Sequence, residues 1–426
     1  MIDVSSDRAV AGRVVEMFPL SAQQRRAWLR GGASRWLQCA LLVEGPLEPS
    51  RLEAAVRRVA AADEMLRTVF RARRGLKVPF QALLDALEPR FERVDAGGWD
   101  ADAEPREVRA FLRRAGSAAP DLENGPLFRV TLLRRSEVRH VLVIAIPALW
   151  GDTRTLGNLA AEVARAYAPA AEDGERLAYA EFAAWQDERQ AEVEEEGGEE
   201  ARAFWARALE ADEAPSAAAD SAALHEFHLE PDVVQEIDAA AASLGVTAEA
   251  LLAASWALLA ARPEGRESLA LGEVVAYRDD PALQDALGPY ARILPLRVDV
   301  AHDASFAQLA RGVAAVRGEA AGWQDHPALA DDRGVALGFE HAAWVEAPSL
   351  DGADVRLLAL DASTEPFPLQ LQLVRADGAL LAAVRGSDPL EAVRLAERWR
   401  TLLHSAVSNP DAAVQGLAYL GAGERH

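Results

Sequence analysis

The chain has 426 residues, half of them apolar, and 67 acidic side chains stand against 45 basic ones for a formal charge of −22. That charge repels polyanions, which excludes a nucleic-acid backbone and an anionic membrane surface as partners and reads as solubility. The length allows two or three hydrophobic cores, and the single cysteine, Cys39, excludes an internal disulfide or a cysteine-based metal cluster.

The opening residues lack a basic-then-apolar leader, and no run approaches the roughly 18 apolar residues of a membrane helix. Together with the lone cysteine, these features point to the cytoplasm. Residues 1–16 read as poorly packed. Ser21 is a helix cap with Gln24 at the position of a capping box. Trp36 to Val43 reads as a strand, Leu52, Val56 and Val59 as the apolar stripe of a helix, and Leu66 to Phe70 as a strand. Residues 104–115 read as helix, followed by strands at Leu127–Leu133 and Val138–Ile146.

The second of these strands runs into Pro147-Ala148-Leu149-Trp150-Gly151-Asp152-Thr153-Arg154-Thr155. Pro147 removes a ladder donor and ends the strand. Thr155 caps a helix whose apolar positions are Leu156, Leu159, Val163 and Tyr167. A strand, a tight loop with one acid, and a helix form a rigid frame for chemistry. Farther on, Tyr179 to Trp185 is helical, Glu194 to Glu200 reads as a solvated run, and 210–223 as a linker. A second alternating block follows, with strands at 224–229, 269–275, 293–300, 335–339, 355–360, 369–374 and 379–385. Its helices fall at 233–244, 248–259, 306–316 and 390–407. This gives an N-terminal lobe over 1–174, a helical connection and linker over 175–223, and a C-terminal lobe over 224–426, both lobes α/β.

Several motifs then fall into one order. Ser21-Ala22-Gln23-Gln24-Arg25-Arg26-Ala27-Trp28 opens the series, and Glu64 to Phe70 follows, with Asp63 where His is usual. Tyr179-Ala180-Glu181-Phe182-Ala183-Ala184-Trp185, Gly288-Pro289-Tyr290-Ala291-Arg292-Ile293-Leu294-Pro295-Leu296-Arg297 and Gln324-Asp325-His326-Pro327 complete it. Each is weak alone. In this order they resemble the condensation domains of nonribosomal peptide synthetases, within the chloramphenicol-acetyltransferase-like group. The end at Leu417-Ala418-Tyr419-Leu420 resembles the family's edge before an adenylation domain, as in a domain cut from a synthetase or acting in trans.

The resemblance implies two acetyltransferase-like lobes forming a V with a central channel. Donor and acceptor carrier proteins would deliver substrates on phosphopantetheine arms. No bound cofactor or metal is implied. The family signature His-His-x-x-x-Asp-Gly reads here from Pro147 to Thr153, so both histidines are lost and Asp152 remains. Ala148, at the second His, has no group to orient an amine or move its proton. Arg292 replaces the Asn of the later motif. A segment the family carries after Asp331-Asp332-Arg333 is shortened.

Asp152 is then either a catalytic acid or, more simply, a structural tie to an Arg of the other lobe, for which Arg297 is the candidate. Pro147, Ala148, Trp150, Thr155 and Arg292 are candidate channel residues, although Trp150 equally fits simple packing and Thr155 a helix cap. His140 reads as a sheet residue. His225 and His228 point to opposite strand faces, His302 and His404 lie at the surface, and His326 and His341 belong to the second block. Trp185, Trp205, Trp256 and Trp399 sit at helical core spacing. Two functions follow. One is a binding platform without histidine-assisted amide synthesis, recruiting a tailoring oxygenase or adjoining an adenylation domain. The other is an acyltransferase, amide- or ester-forming or cyclising, working by substrate positioning alone.

Overall fold

The computed structural model describes residues 12–100, 103–168, 177–195, 198–210, 223–326, 334–365 and 367–421. The first half contains β1 (Val14–Phe18), α1 (Ala22–Leu29), β2 (Trp36–Glu44), α2 (Pro49–Ala62), β3 (Thr68–Arg71), β4 (Phe80–Leu84) and β5 (Arg90–Asp95). It continues with α3 (Glu104–Ala115), β6 (Arg129–Arg134), β7 (Arg139–Pro147), α4 (Thr153–Tyr167), α5 (Tyr179–Glu195) and α6 (Gly198–Leu209). Then come β8 (Ala223–Leu229), α7 (Pro231–Leu244), α8 (Ala248–Ala261), β9 (Ser268–Val275), β10 (Arg292–Asp299), α9 (Phe306–Gly322), β11 (Leu337–Ala343), β12 (Asp354–Asp361), β13 (Leu369–Ala376), β14 (Ala379–Gly386) and α10 (Pro389–Ser408).

These elements form two compact units, neither of them continuous in sequence. The first comprises Met1–Asp187, Arg278–Tyr290 and Trp344–Glu365, and the second the remainder. Divisions drawn at 174 and 224 on a continuous chain therefore miss two excursions. Residues 278–290 and 344–365, inside the expected C-terminal lobe, pack with the first unit.

The first unit holds a five-stranded sheet in the order β12-β2-β7-β6-β5. Its centre is the antiparallel pair β2 and β7, with Cys39 opposite Ile144 and Trp36 opposite Pro147. Both strands are apolar on both faces, so each face needs a cover. On one, Val108 and Leu112 of α3 pack on Ala40, Leu42, Val141 and Val143. α4 packs on β2 and α2. The strand expected at 355–360 is present, but as the edge of this sheet, antiparallel to β2. Glu365, at the end of that excursion, accepts from Arg26 Nη2 and Arg30 Nε, each at 2.9 Å, in a buried ion triad. A smaller sheet runs β1-β4-β3.

The second unit is a six-stranded sheet, β10-β9-β11-β13-β14-β8, with β11 parallel to both neighbours. One face carries Leu271, Leu296, Phe339, Leu371 and Val384 against the buried Trp256 and Trp399 of α8 and α10. The indole of Trp256 donates to Gly338 O at 3.0 Å and that of Trp399 to Ser255 Oγ at 2.9 Å, so both large side chains are buried without leaving a polar atom unmet. On the opposite face Gly272 and Gly338 stand side by side beneath the Phe367 ring. A Cβ at Gly338 would lie 2.4 Å from Phe367 Cγ, so only glycine fits there.

Other differences have local causes. Val14–Glu16, at the end of the stretch expected to be poorly packed, are exposed but begin a strand paired with β4. β4 and β5 were not expected at all, since both are short and lack clean alternation. Residues 65–67 form a turn of 3₁₀ helix before β3. Glu194 and Glu195 belong to α5 rather than to a loop. Trp185 is 49% exposed, so helical spacing alone misassigned it to a core. Trp205 is buried as expected. Most of the expected linker, 211–222, lies outside the described residues, as do Pro327 and Asp331-Asp332-Arg333. No single helix among the described residues is long and apolar enough to cross a membrane.

Candidate active site

The loop after β7 is built around Asp152. After Pro147 the chain makes one turn, Ala148–Trp150, and passes through an extended Gly151. Asp152, not Thr155, is the N-cap of α4: its Oδ1 accepts from Thr155 N at 2.8 Å. The correction follows from geometry, because a cap side chain serves the amide three residues onward. Asp152 is 3% exposed. Its Oδ2 accepts from Tyr290 N at 3.0 Å.

The cation on Asp152 is Arg278, with Nη2 at 3.2 Å from Oδ1 and both side chains buried. The same Nη2 lies 3.0 Å from Thr155 Oγ1 and 3.1 Å from Gly288 O, while Nη1 donates to Leu283 O and Ala286 O, each at 2.7 Å. Thr155 Oγ1 in turn stands 2.6 Å from Gly288 O and 2.9 Å from Asp152 Oδ1, so its one proton serves either acceptor. The Arg278 guanidinium lies over the Tyr290 ring at 4.3 Å. Arg297, the expected partner, instead pairs with Asp299 and Glu210 within the second unit. It sits on a strand whose outward residues reach neighbours of that strand.

A second layer supports the first. Tyr179 OH donates to Pro289 O at 3.1 Å and lies 2.7 Å from Ser21 Oγ, whose backbone and side chain complete the capping box with Gln24. Gln24 Nε2 donates to Gln81 Oε1 and to Leu149 O, which fixes the turn after β7. Gly288 has φ +151, and a Cβ there would meet the Tyr179 ring at 2.2 Å. Burial holds the Tyr179 hydroxyl well above the usual tyrosine range, and it raises that of Tyr290. Asn158 donates to Gln284 O and Ala286 O, binding α4 to the same segment.

The expected site residues thus divide. Asp152 and Thr155 share one network. Trp150 is fully buried with its indole on Thr68 O at 2.9 Å, which assigns it to packing rather than to a channel wall. Ala148 is buried and its amide donates to Arg35 O at 3.0 Å, and Pro147 is the last residue of β7. Arg292 stands in the second unit, its guanidinium 3.4 Å from the centre of the Tyr277 ring and 3.6 Å from Asp325 Oδ1. Tyr277 OH is hydrogen-bonded to Asp325, and its φ of +50 is uncommon for a residue with a side chain. Burial foremost, opposed by Arg292 and reinforced by Asp325, raises the Tyr277 hydroxyl to about 12.

Sequence reasoning missed Arg278 and the pairing of Ser21 with Tyr179. Both clues were present: Ser21, Tyr179 and Tyr290 all lie in quoted motifs. Arg278 follows a strand in Tyr277-Arg278-Asp279-Asp280, with nothing local to rank it above Arg297.

Chemically, every oxygen of Asp152 is already engaged by two backbone amides, a hydroxyl and a guanidinium. Such a group holds a turn and is poorly placed to exchange protons with a substrate.

The family model for the condensation domain matches residues 14–328. The chain belongs to the condensation-domain family. The isonitrile lipopeptide synthase of Mycobacterium tuberculosis is 28% identical over 464 residues, spanning 98% of this chain and 18% of that protein. The AMB antimetabolite synthetase AmbE of Pseudomonas aeruginosa is 29% identical over 441 residues, spanning 99% of the chain and 20% of that protein. The chain therefore spans a fifth or less of the length of these relatives. Among solved structures, the first condensation domain of the CDA synthetase superposes with a TM-score of 0.84 at 18% identity, over 96% of this chain and 100% of that one. The X-domain from teicoplanin biosynthesis does so at 0.76 and 24% identity, over 98% and 99%. The fold is the α/β, chloramphenicol-acetyltransferase-like fold of nonribosomal peptide synthetase condensation domains.

Proposed function

We propose that this condensation domain serves as a carrier-binding platform and has lost histidine-assisted amide synthesis. One observation carries the reading. At the turn where the family places its histidines stand Pro147 and the buried Ala148, and the surviving acid, Asp152, is enclosed by Arg278, Thr155 and Tyr290. The turn keeps its frame and has no group free to move a proton.

Its partners are donor and acceptor carrier proteins bearing substrates on phosphopantetheine arms, in the cytoplasm, beside an adenylation domain or a tailoring oxygenase. The likeness to the X-domain from teicoplanin biosynthesis, solved also in complex with OxyB, supports recruitment of a partner enzyme. The intact frame favours a second reading. A correctly placed amine could attack the thioester carbonyl unaided, forming the C–N bond and expelling the thiolate, which takes up the amine proton.

Intact-protein mass spectrometry of loaded donor and acceptor carriers, with and without the domain, separates the two. The platform predicts no transfer above the domain-free rate, together with measurable carrier binding. Domain-dependent gain of the donor mass by the acceptor would overturn it.

A further inference from the structure

The hairpin between β3 and β4 runs against the charge of the chain. Arg71, Arg73, Arg74 and Lys77, the only lysine, follow one another with no acidic residue between Thr68 and Leu84, in a chain of formal charge −22. Several other surface arginines of the first unit find carboxylates: Arg51 with Asp351, Arg57 with Glu53, Arg90 with Glu92, Arg134 with Glu137. On the hairpin, among the described residues, Arg71, Arg74 and Lys77 make no side-chain ion pair or hydrogen bond, and Arg73 only covers the Phe80 ring at 5.3 Å.

The hairpin is also pre-shaped. Leu76 N donates to Arg73 O at 3.1 Å, and Gly75 at φ +90 takes a turn that a side chain would strain. Trp28 of α1 reaches across to donate its indole proton to Lys77 O at 3.1 Å. Leu76 stands at the tip, 55% exposed. A held loop loses little entropy on docking. An apolar knob ringed by unpaired cations complements an acidic helix with one apolar residue on its outer face.

We infer that residues 71–77 form a docking surface for the acidic helical face of a carrier protein. This rests on the carrier-binding reading above.

The test measures the affinity of apo carrier proteins for the whole chain, by anisotropy at two salt concentrations. Apo carriers lack the phosphopantetheine phosphate, so any binding is to protein. R73E/R74E/K77E is expected to raise Kd tenfold or more and to abolish the salt dependence. L76A is expected to raise it severalfold. R106E/R113E/R114E, an equal charge change on α3, should leave Kd within twofold, and thermal melting should show all variants folded. If both triple variants weaken binding alike, bulk charge is responsible and the surface is refuted. Binding that the hairpin variant retains in full refutes it too. If the unaltered chain binds no carrier, the carrier reading fails, and this surface with it.

Discussion

Each unit contains an Asp, an Arg and a Tyr in contact, and the two groups differ in almost everything else. In the first unit Asp152, Arg278 and Tyr290 are buried, with side-chain exposures of 4% and 3% for the ion pair, and the carboxylate meets two backbone amides. In the second, Arg292 stacks on Tyr277 beside Asp325 with exposures of 15% and 39%. The second pair is partly open to solvent screening and the first is buried away from it. The same residue types therefore build a buried structural keystone in one place and a partly exposed cluster in the other.

The largest expected effect tests the keystone. Arg278→Met leaves Asp152 buried without its cation and should cost about 3–5 kcal/mol, read by chemical denaturation. Adding Asp152→Asn to the same chain should recover part of that loss, because no orphan charge remains and the amide oxygen still caps Thr155 N. If the single variant melts like the wild type, the buried group is not what holds this loop.

Next comes Ala148→His. The methyl is buried, so the larger ring should cost about 1–3 kcal/mol through overpacking. Combined with Pro147→His, it also asks whether transfer between carriers returns. Tyr179→Phe removes a hydroxyl engaged with Ser21 and Pro289 and should cost about 1–2 kcal/mol.

The pH dependence sharpens the second unit. Burial foremost, with Arg375 and Arg317 against Glu249 and Asp238, holds the imidazole of His341 below its ordinary value, with Nδ1 3.3 Å from Glu249. The unfolded chain then binds a proton that the folded one resists. Stability is unaffected above about pH 6.5 and falls as pH drops below it toward the lowered value. His341→Gln should flatten the melting temperature across that window.

Arg292→Ala removes a mostly buried guanidinium from the Tyr277 ring and from Gln324 O and should cost about 1–2 kcal/mol. The smallest effect is the most pointed. Among the described residues Tyr290 OH is buried without a hydrogen-bond partner, so Tyr290→Phe should be neutral or slightly stabilising. A loss as large as that of Tyr179→Phe would contradict the division of labour between the two tyrosines.

What the sequence made legible was local. The capping box at Ser21 and the helix at Glu104–Ala115 follow from neighbouring residues and appear where expected. The motif order identified the family because it samples the whole chain. Pairing at a distance was not legible. Nothing in residues 354–361 says that their hydrogen bonds go to β2 rather than to the strands that flank them in sequence. Arg278 follows an apolar strand and Arg297 lies within one, and only the fold decides which meets Asp152. Periodicity likewise found the buried Trp256 and Trp399 but could not see that one face of α5 leaves Trp185 uncovered.

The excursion that ends at Glu365 also sets a clock. A ribosome making this chain finishes β2 early but must add some three hundred more residues before β12 arrives to cover its edge and Glu365 to meet Arg26 and Arg30. Until then β2 offers an unpaired row of amides and carbonyls to any passing strand. The first unit is thus completed only after much of the second has been made, and a fragment ending near residue 223 would lack both β12 and the segment that carries Arg278.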